Sequence, residues 1–272
     1  MAKNKKSSKK TTTKKTTVTT VTTTTTTVDK NLDTHYLLVL DRSGSMSSCW
    51  KSTISGLNEQ LGTIRHLEEK YPEQKYFVSL VVFDTEIETI LENEPISKVE
   101  NFDGTEFPPR GGTALHDAIG VGISNLRVQL DKKEGKSLST ALVVVMTDGE
   151  ENSSREHGAD SIKKIICELE ETGAWTFSYM GANQDAVLAA SRFGISSGNA
   201  INYASTEKGA SAAYDTLSKG IMSRAQTSNV SYMASASLGD VTLDAMAMDN
   251  TTFFSNVVEG DTVEEEDSEE KA

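Results

Sequence analysis

Six consecutive apolar residues, Ala141-Leu142-Val143-Val144-Val145-Met146, run without interruption into Thr147-Asp148-Gly149. A strand that alternates can leave one face in water. A strand that is apolar at every position must be covered on both, which is the situation of a central strand in a parallel sheet with helices above and below. Tyr36-Leu37-Leu38-Val39-Leu40 and Tyr76 to Phe83 are two further apolar runs. Between them Ile54, Leu57, Leu61, Ile64 and Leu67 recur at steps of three and four, leaving Glu59, Arg65 and Glu68 to the other face of a helix. Buried strands alternating with amphipathic helices predict a Rossmann-like, doubly wound α/β sheet with helices on both faces.

The remaining elements fit that plan. Ile87-Glu88-Thr89-Ile90-Leu91 follows the second strand after a connection too brief for a parallel crossover, so the third strand is expected to be antiparallel and at an edge. A polar loop containing Pro108-Pro109 and Gly111-Gly112 runs from Pro95 to Gly112 and precedes a helix over 114–130. A helix over 158–171 and a strand at Trp175–Tyr179 come next, and the alternation of that strand predicts a less buried place. A short helix over 182–191, a short strand over 199–203 and a closing helix over 207–223 complete the domain.

The length of 272 residues suits one medium domain with tails. Residues 1–33, nearly all Lys, Thr, Ser and Val, read as a disordered arm, because such a composition cannot bury enough apolar surface to offset ordering entropy. Residues 34–224 form the expected domain. Residues 225–272 read as a mostly disordered acidic tail in which Thr252-Phe253-Phe254 is a candidate docking element. The net charge of -13 conceals ends of opposite sign, with lysines at 3, 5, 6, 9, 10, 14 and 15 and a Glu- and Asp-rich stretch over 259–270. The arm could make weak contact with nucleic acid or another anionic surface. Cys49 and Cys167 lack any CxxC or CxxxH spacing, so neither a disulfide framework nor a zinc site is indicated. No apolar run of about 18 residues and no signal-peptide core occurs, which leads to an expectation of a soluble, cytoplasmic protein without a membrane span.

Chemistry concentrates in three loops. Asp41-Arg42-Ser43-Gly44-Ser45 follows the first strand and offers a carboxylate and two hydroxyls at alternate positions. By itself this stretch is compatible with a turn, a phosphate cradle or a site for a small hard cation such as Mg²⁺ or Mn²⁺. Thr113 follows Gly111-Gly112, and Asp148 precedes Gly149. Such loops belong to the carboxyl edge of an open parallel sheet, where ligands bind. The motifs of the common alternatives are missing: there is no Gly-x-Ser-x-Gly, no Gly-Lys-Ser/Thr, and Ser43 stands where a haloacid-dehalogenase-type phosphatase needs a second aspartate. Gly120-Val121-Gly122 lies inside a helical pattern, and His116 and His157 have no paired ligand spacing. Glu150, Glu151 and Arg155 could shape the rim. A metal-dependent phosphoester hydrolase is the alternative in the enzyme class.

Asp-x-Ser-x-Ser after the first strand, a threonine after Gly-Gly and Thr-Asp-Gly after a central strand together resemble the metal-ion-dependent adhesion site (MIDAS) of von Willebrand factor type A (VWA) domains, over residues 34–224. The strings Asp148 to Glu156 and Gly181 to Ala186 are similar to those of stand-alone bacterial and phage members. The resemblance implies strand order 3-2-1-4-5-6. It implies that Ser43, Ser45 and Thr113 coordinate a divalent ion while Asp41 and Asp148 act directly or through water. It further implies that an open position captures a Glu or Asp carboxylate of a protein partner, without catalysis. A self-associating or autoinhibited form, with the acidic tail in the site, is a further alternative.

Overall fold

The computed structural model describes residues 31–132, 137–182, 185–238, 242 and 252–254. Six strands form one sheet: β1 (Leu32–Asp41), β2 (Gln74–Phe83), β3 (Ile87–Pro95), β4 (Leu138–Thr147), β5 (Trp175–Ala182) and β6 (Ala200–Tyr203). Their order is β3-β2-β1-β4-β5-β6, and every pairing is parallel except β2 with β3, which places the antiparallel strand at an edge as its short connection requires.

Alternation along the two central strands builds two cores. Tyr36, Leu38 and Leu40 of β1 and Leu142, Val144 and Met146 of β4 face α1 (Trp50–Lys70) and α5 (Glu207–Leu238). Leu37 and Val39, with Ala141, Val143 and Val145, face α2 (Leu115–Asp131), α3 (Ala159–Glu170) and α4 (Ala186–Arg192). Both faces of β4 are thus covered, which is why its sequence has no polar position between Ala141 and Met146. Asp41 pairs with Phe83, Leu40 with Met146 and Thr147 with Gly181, so these strand ends share one level of the sheet.

Several expectations need correction. β5 is buried at all eight positions. Its polar residues alternate because they meet internal partners: Thr176 Oγ1 accepts from buried Arg224 at 3.1 and 3.3 Å, and Ser178 donates to the Val143 carbonyl at 3.5 Å. β5 also extends through Gly181 and Ala182, which pair with Asn202 and Tyr203, so the following helix begins at Ala186 rather than 182. Asp185 caps it, its side chain accepting from Leu188 N at 2.9 Å.

The last helix continues past 223 to Leu238, because Arg224, Ala225 and Ser228 are still buried against the sheet. Phe253 and Phe254 are 7% and 4% exposed, with their backbone amides bonded to Asn199 Oδ1 at 2.8 Å and Gly198 O at 2.9 Å. They belong to the core beside α1 and α5. Leu32 and Asp33, assigned to the arm, are the first residues of β1, while residues 1–30 and most of the acidic tail lie outside the described residues.

Candidate metal centre

The three loops meet at the carboxyl edge. Asp41, Ser43 and Thr113 are buried, Asp148 is half-buried and Ser45 is exposed, so the cluster has a covered floor and an open mouth. Asp41 Oδ1 accepts the Ser43 amide at 2.6 Å, and Oδ2 accepts the Thr147 hydroxyl at 2.6 Å. Ser43 and Ser45 hydroxyls are 3.0 Å apart, and Ser45 donates to Asp148 Oδ1 at 2.5 Å. Thr113 is held through its backbone, donating to Asn152 Oδ1 at 2.9 Å and accepting from Asn152 N at 3.0 Å.

Gly149 shows how tightly the oxygens gather. A methyl group placed on it would lie 2.8 Å from Thr113 Oγ1 and 3.6 Å from both Asp41 Oδ2 and Ser45 Oγ. Oxygens from the first two loops therefore surround a point beside Gly149 of the third, which only a residue without a side chain leaves free. The set is two carboxylates and three hydroxyls, all hard oxygen donors, which fits Mg²⁺ or Mn²⁺ better than a softer ion. No cluster of three or more His, Cys, Asp or Glu able to hold a metal occurs among the described residues, so any ion here would depend on the hydroxyls.

The electrostatics favour a cation. Burial raises Asp41 to about 6 against the hydrogen bonds of Thr147 and Ser43, and the Asp148 carboxylate adds to the rise. Burial likewise raises Asp148, opposed by the hydroxyls of Ser45 and Ser205. Two carboxylates that resist ionisation side by side gain from a positive charge placed between them.

Supporting contacts show residues that sequence reasoning missed. Asp84 accepts from Arg42 Nε and Arg110 Nε, both at 2.9 Å, and Arg42 also reaches Glu88 at 2.9 Å. The backbone repeats the link: Arg110 N donates to Arg42 O at 2.7 Å, Gly44 N to Gly111 O at 3.2 Å and Ala114 N to Asp84 O at 2.8 Å. Gly111 takes φ +67 to make this approach. The β2–β3 turn is thus the post to which the first two loops are tied. The basic residue inside Asp-Arg-Ser-Gly-Ser was the available signal, since a charge between two buried positions needs a partner.

The third loop is fastened to α2. Glu151 accepts from His116 N at 3.0 Å, Ser153 N at 2.8 Å and Ser154 N at 2.7 Å, which gives it a structural task. Asp117 accepts the amides of Arg155, Glu156 and His157 at 2.7, 3.0 and 2.7 Å. Arg155 contributes here through its backbone. The His116 ring stands edge-on to Phe193 at 5.5 Å, and the His157 ring packs against Gly120, so neither histidine joins the cluster. Buried Cys49 lies below it, 3.6 Å from the Ser205 hydroxyl, which in turn is 3.5 Å from Asp148 Oδ2.

No protein-family profile and no curated protein matches the chain. Solved structures do. Proximal thread matrix protein 1 from the mussel byssus, in a structure with a zinc-occupied MIDAS motif, aligns at 12% identity over 68% of this chain and 47% of its own, with a TM-score of 0.51. The SpRpn10 VWA domain aligns at 11% identity over 67% of this chain and 94% of its own, with a TM-score of 0.46. The chain spans 47% of the mussel protein's length, and at this identity the likeness is one of architecture. With its strand order and single antiparallel edge, the chain has a VWA-like α/β fold.

Proposed function

We propose that the protein is a divalent-cation-dependent binding module. Asp41, Ser43, Ser45, Thr113 and Asp148 would hold Mg²⁺ or Mn²⁺, and the ion would supply an electrophilic point for a Glu or Asp carboxylate of a protein partner. The observation that carries this reading is the gathering of Asp41, Ser45 and Thr113 oxygens, from two loops, within 3.6 Å of one point beside Gly149 of the third. The chain's own part is to fix the donors. Thr147 and the Ser43 amide orient Asp41, the Asp84 post sets the first two loops, and Glu151 with Asp117 sets the third. Ser45 and Asp148 at the mouth leave the cluster open to a partner. Zinc occupies the motif in the mussel protein, so Zn²⁺ belongs in the comparison of ions.

The test is capture of partners from native lysate with Mg²⁺ or with chelator, beside Ser43→Ala and Asp148→Ala. Retention that requires the ion and both side chains supports the reading, and retention indifferent to all three refutes it. A second reading, occupancy by the chain's own acidic stretch, is favoured by the seating of Phe253 and Phe254 on the Gly198-Asn199 turn. That anchor lies five residues before Glu259, so acidic side chains begin about 17 Å of extended chain from it. Phe254→Ala and a chain ending at Val258 would both raise affinity for an acidic peptide under this reading. Unchanged affinity in both would dismiss it.

A further inference from the structure

A cavity of about 290 Å³ lies beside the oxygen cluster, and Gly149 belongs to the walls of both. The remaining wall is built where the start of α2, the start of α3, β5 and α4 come together. Leu115, Tyr179 and Phe193 are buried within it, and Ala159 of α3 and Ala189 of α4 also line it. Its character is aromatic, with His116 edge-on to Phe193 at 5.5 Å and Tyr179 tilted against the same ring at 6.2 Å. The Glu151 carboxylate at its side is already committed to the His116, Ser153 and Ser154 amides. Exposed Glu150 and Arg192 mark the solvent end. None of the contacts that tie the three loops together needs this space.

We infer that the cavity is a specificity pocket for an aromatic side chain of the partner, one or two residues from the acidic residue held at the cation. This rests on the metal reading above. Three ring systems around a space of this size favour Phe or Tyr, whose edges and faces meet such rings well. Successive residues of an extended segment advance about 3.3–3.6 Å, so a carboxylate over the cluster places a near neighbour across the shared Gly149 wall. The ion selects for an acid, and the pocket selects which acid by what stands next to it.

The experiment uses the full chain and two labelled peptides in a Ser/Gly background, one with Glu and Phe two residues apart and one with Ala replacing Phe. Binding is read by fluorescence anisotropy in Mg²⁺ and in chelator. The Phe peptide is expected to bind about tenfold tighter, in keeping with burial of one large apolar side chain. Ala189→Phe and Ala159→Leu fill the cavity from different walls, and each should reduce the Phe peptide to the level of the Ala peptide while leaving the latter unchanged. Melting curves check both variants, and either one that folds suffices. Equal, chelator-sensitive binding of the two peptides would overturn the pocket and leave the metal reading standing. A preference for Phe that survives both substitutions would also overturn the pocket. Absence of metal-dependent binding by either peptide would overturn both.

Discussion

Asp41 ends β1 and Asp84 directly follows the neighbouring β2 at the same edge, both buried, and their surroundings drive them in opposite directions. Burial acts to raise Asp84, but the Arg110 guanidinium, the Glu86 amide and Arg42 outweigh it and hold the carboxyl below its ordinary range. Asp117 behaves alike: burial is outweighed by the amides of Arg155, His157 and Glu156. Asp41 has only Thr147 and Ser43 to set against burial, and it rises to about 6. Carboxylates that hold the loops together are saturated with donors and cations from the chain. Those facing the open mouth are left short of positive charge, and that shortfall is what distinguishes a candidate ligand from a structural post.

This contrast can be broken experimentally. The largest effect should come from Asp84→Ala, which leaves Arg42 buried without its main counter-ion; a loss of about 3–5 kcal/mol in urea unfolding is expected. A loss below about 1 kcal/mol would mean that Asp84 is not the post.

Next is the pH response in chelator. Asp41 has a folded pKa raised from 3.8 to about 6, so its contribution favours the fold at acid pH and is lost as pH rises through that window. The penalty is about 3 kcal/mol by pH 7. Mg²⁺ should offset it, so the stabilisation by Mg²⁺ should grow between pH 4 and pH 6 and then level off. A Mg²⁺ effect that is flat with pH would remove Asp41 from the set. Asp84 and Asp117, held below the ordinary range, act with the opposite sign, their contributions disappearing only as pH falls through their lowered pKa values.

Asp117→Asn removes a charged acceptor from three amides and should cost about 1–3 kcal/mol, measured in the same way. Arg110→Ala should have a smaller effect than Asp117→Asn, because that side chain is 56% exposed and solvent screens it. Asp148→Asn is expected to leave chelator-treated protein within about 0.5 kcal/mol of the parent while abolishing the Mg²⁺ response. A large loss in chelator would place Asp148 with the posts instead.

Much of this architecture was legible in the chain. The uninterrupted run at 141–146 required cover on both faces, and the three-residue link at 84–86 forbade a parallel crossover. The same reasoning failed at Trp175–Tyr179, where Thr176 looks solvent-facing but accepts from Arg224, and in the last helix, whose continuation depends on contacts with the sheet. Phe253 and Phe254 read as a free docking element because nothing local reveals that Gly220 leaves room for a ring. Periodicity registers that a position is buried or polar; it carries no information about a partner distant in sequence.

The candidate site divides in the same way. Sequence alone determined which residue types stand at 41, 43, 45, 113 and 148 and that each follows a strand or precedes a helix, because local patterning fixes the elements and hence the edge on which their loops lie. Only the tertiary structure decided that oxygens of Asp41, Ser45 and Thr113 approach one point, that Thr147 rather than solvent anchors Asp41, and that an aromatic cavity adjoins Gly149. Those outcomes depend on the register of β1 against β2 and β4 and on the ties from Asp84, Glu151 and Asp117. Distances between loops far apart in the chain are set by the packing of the whole sheet and its helices.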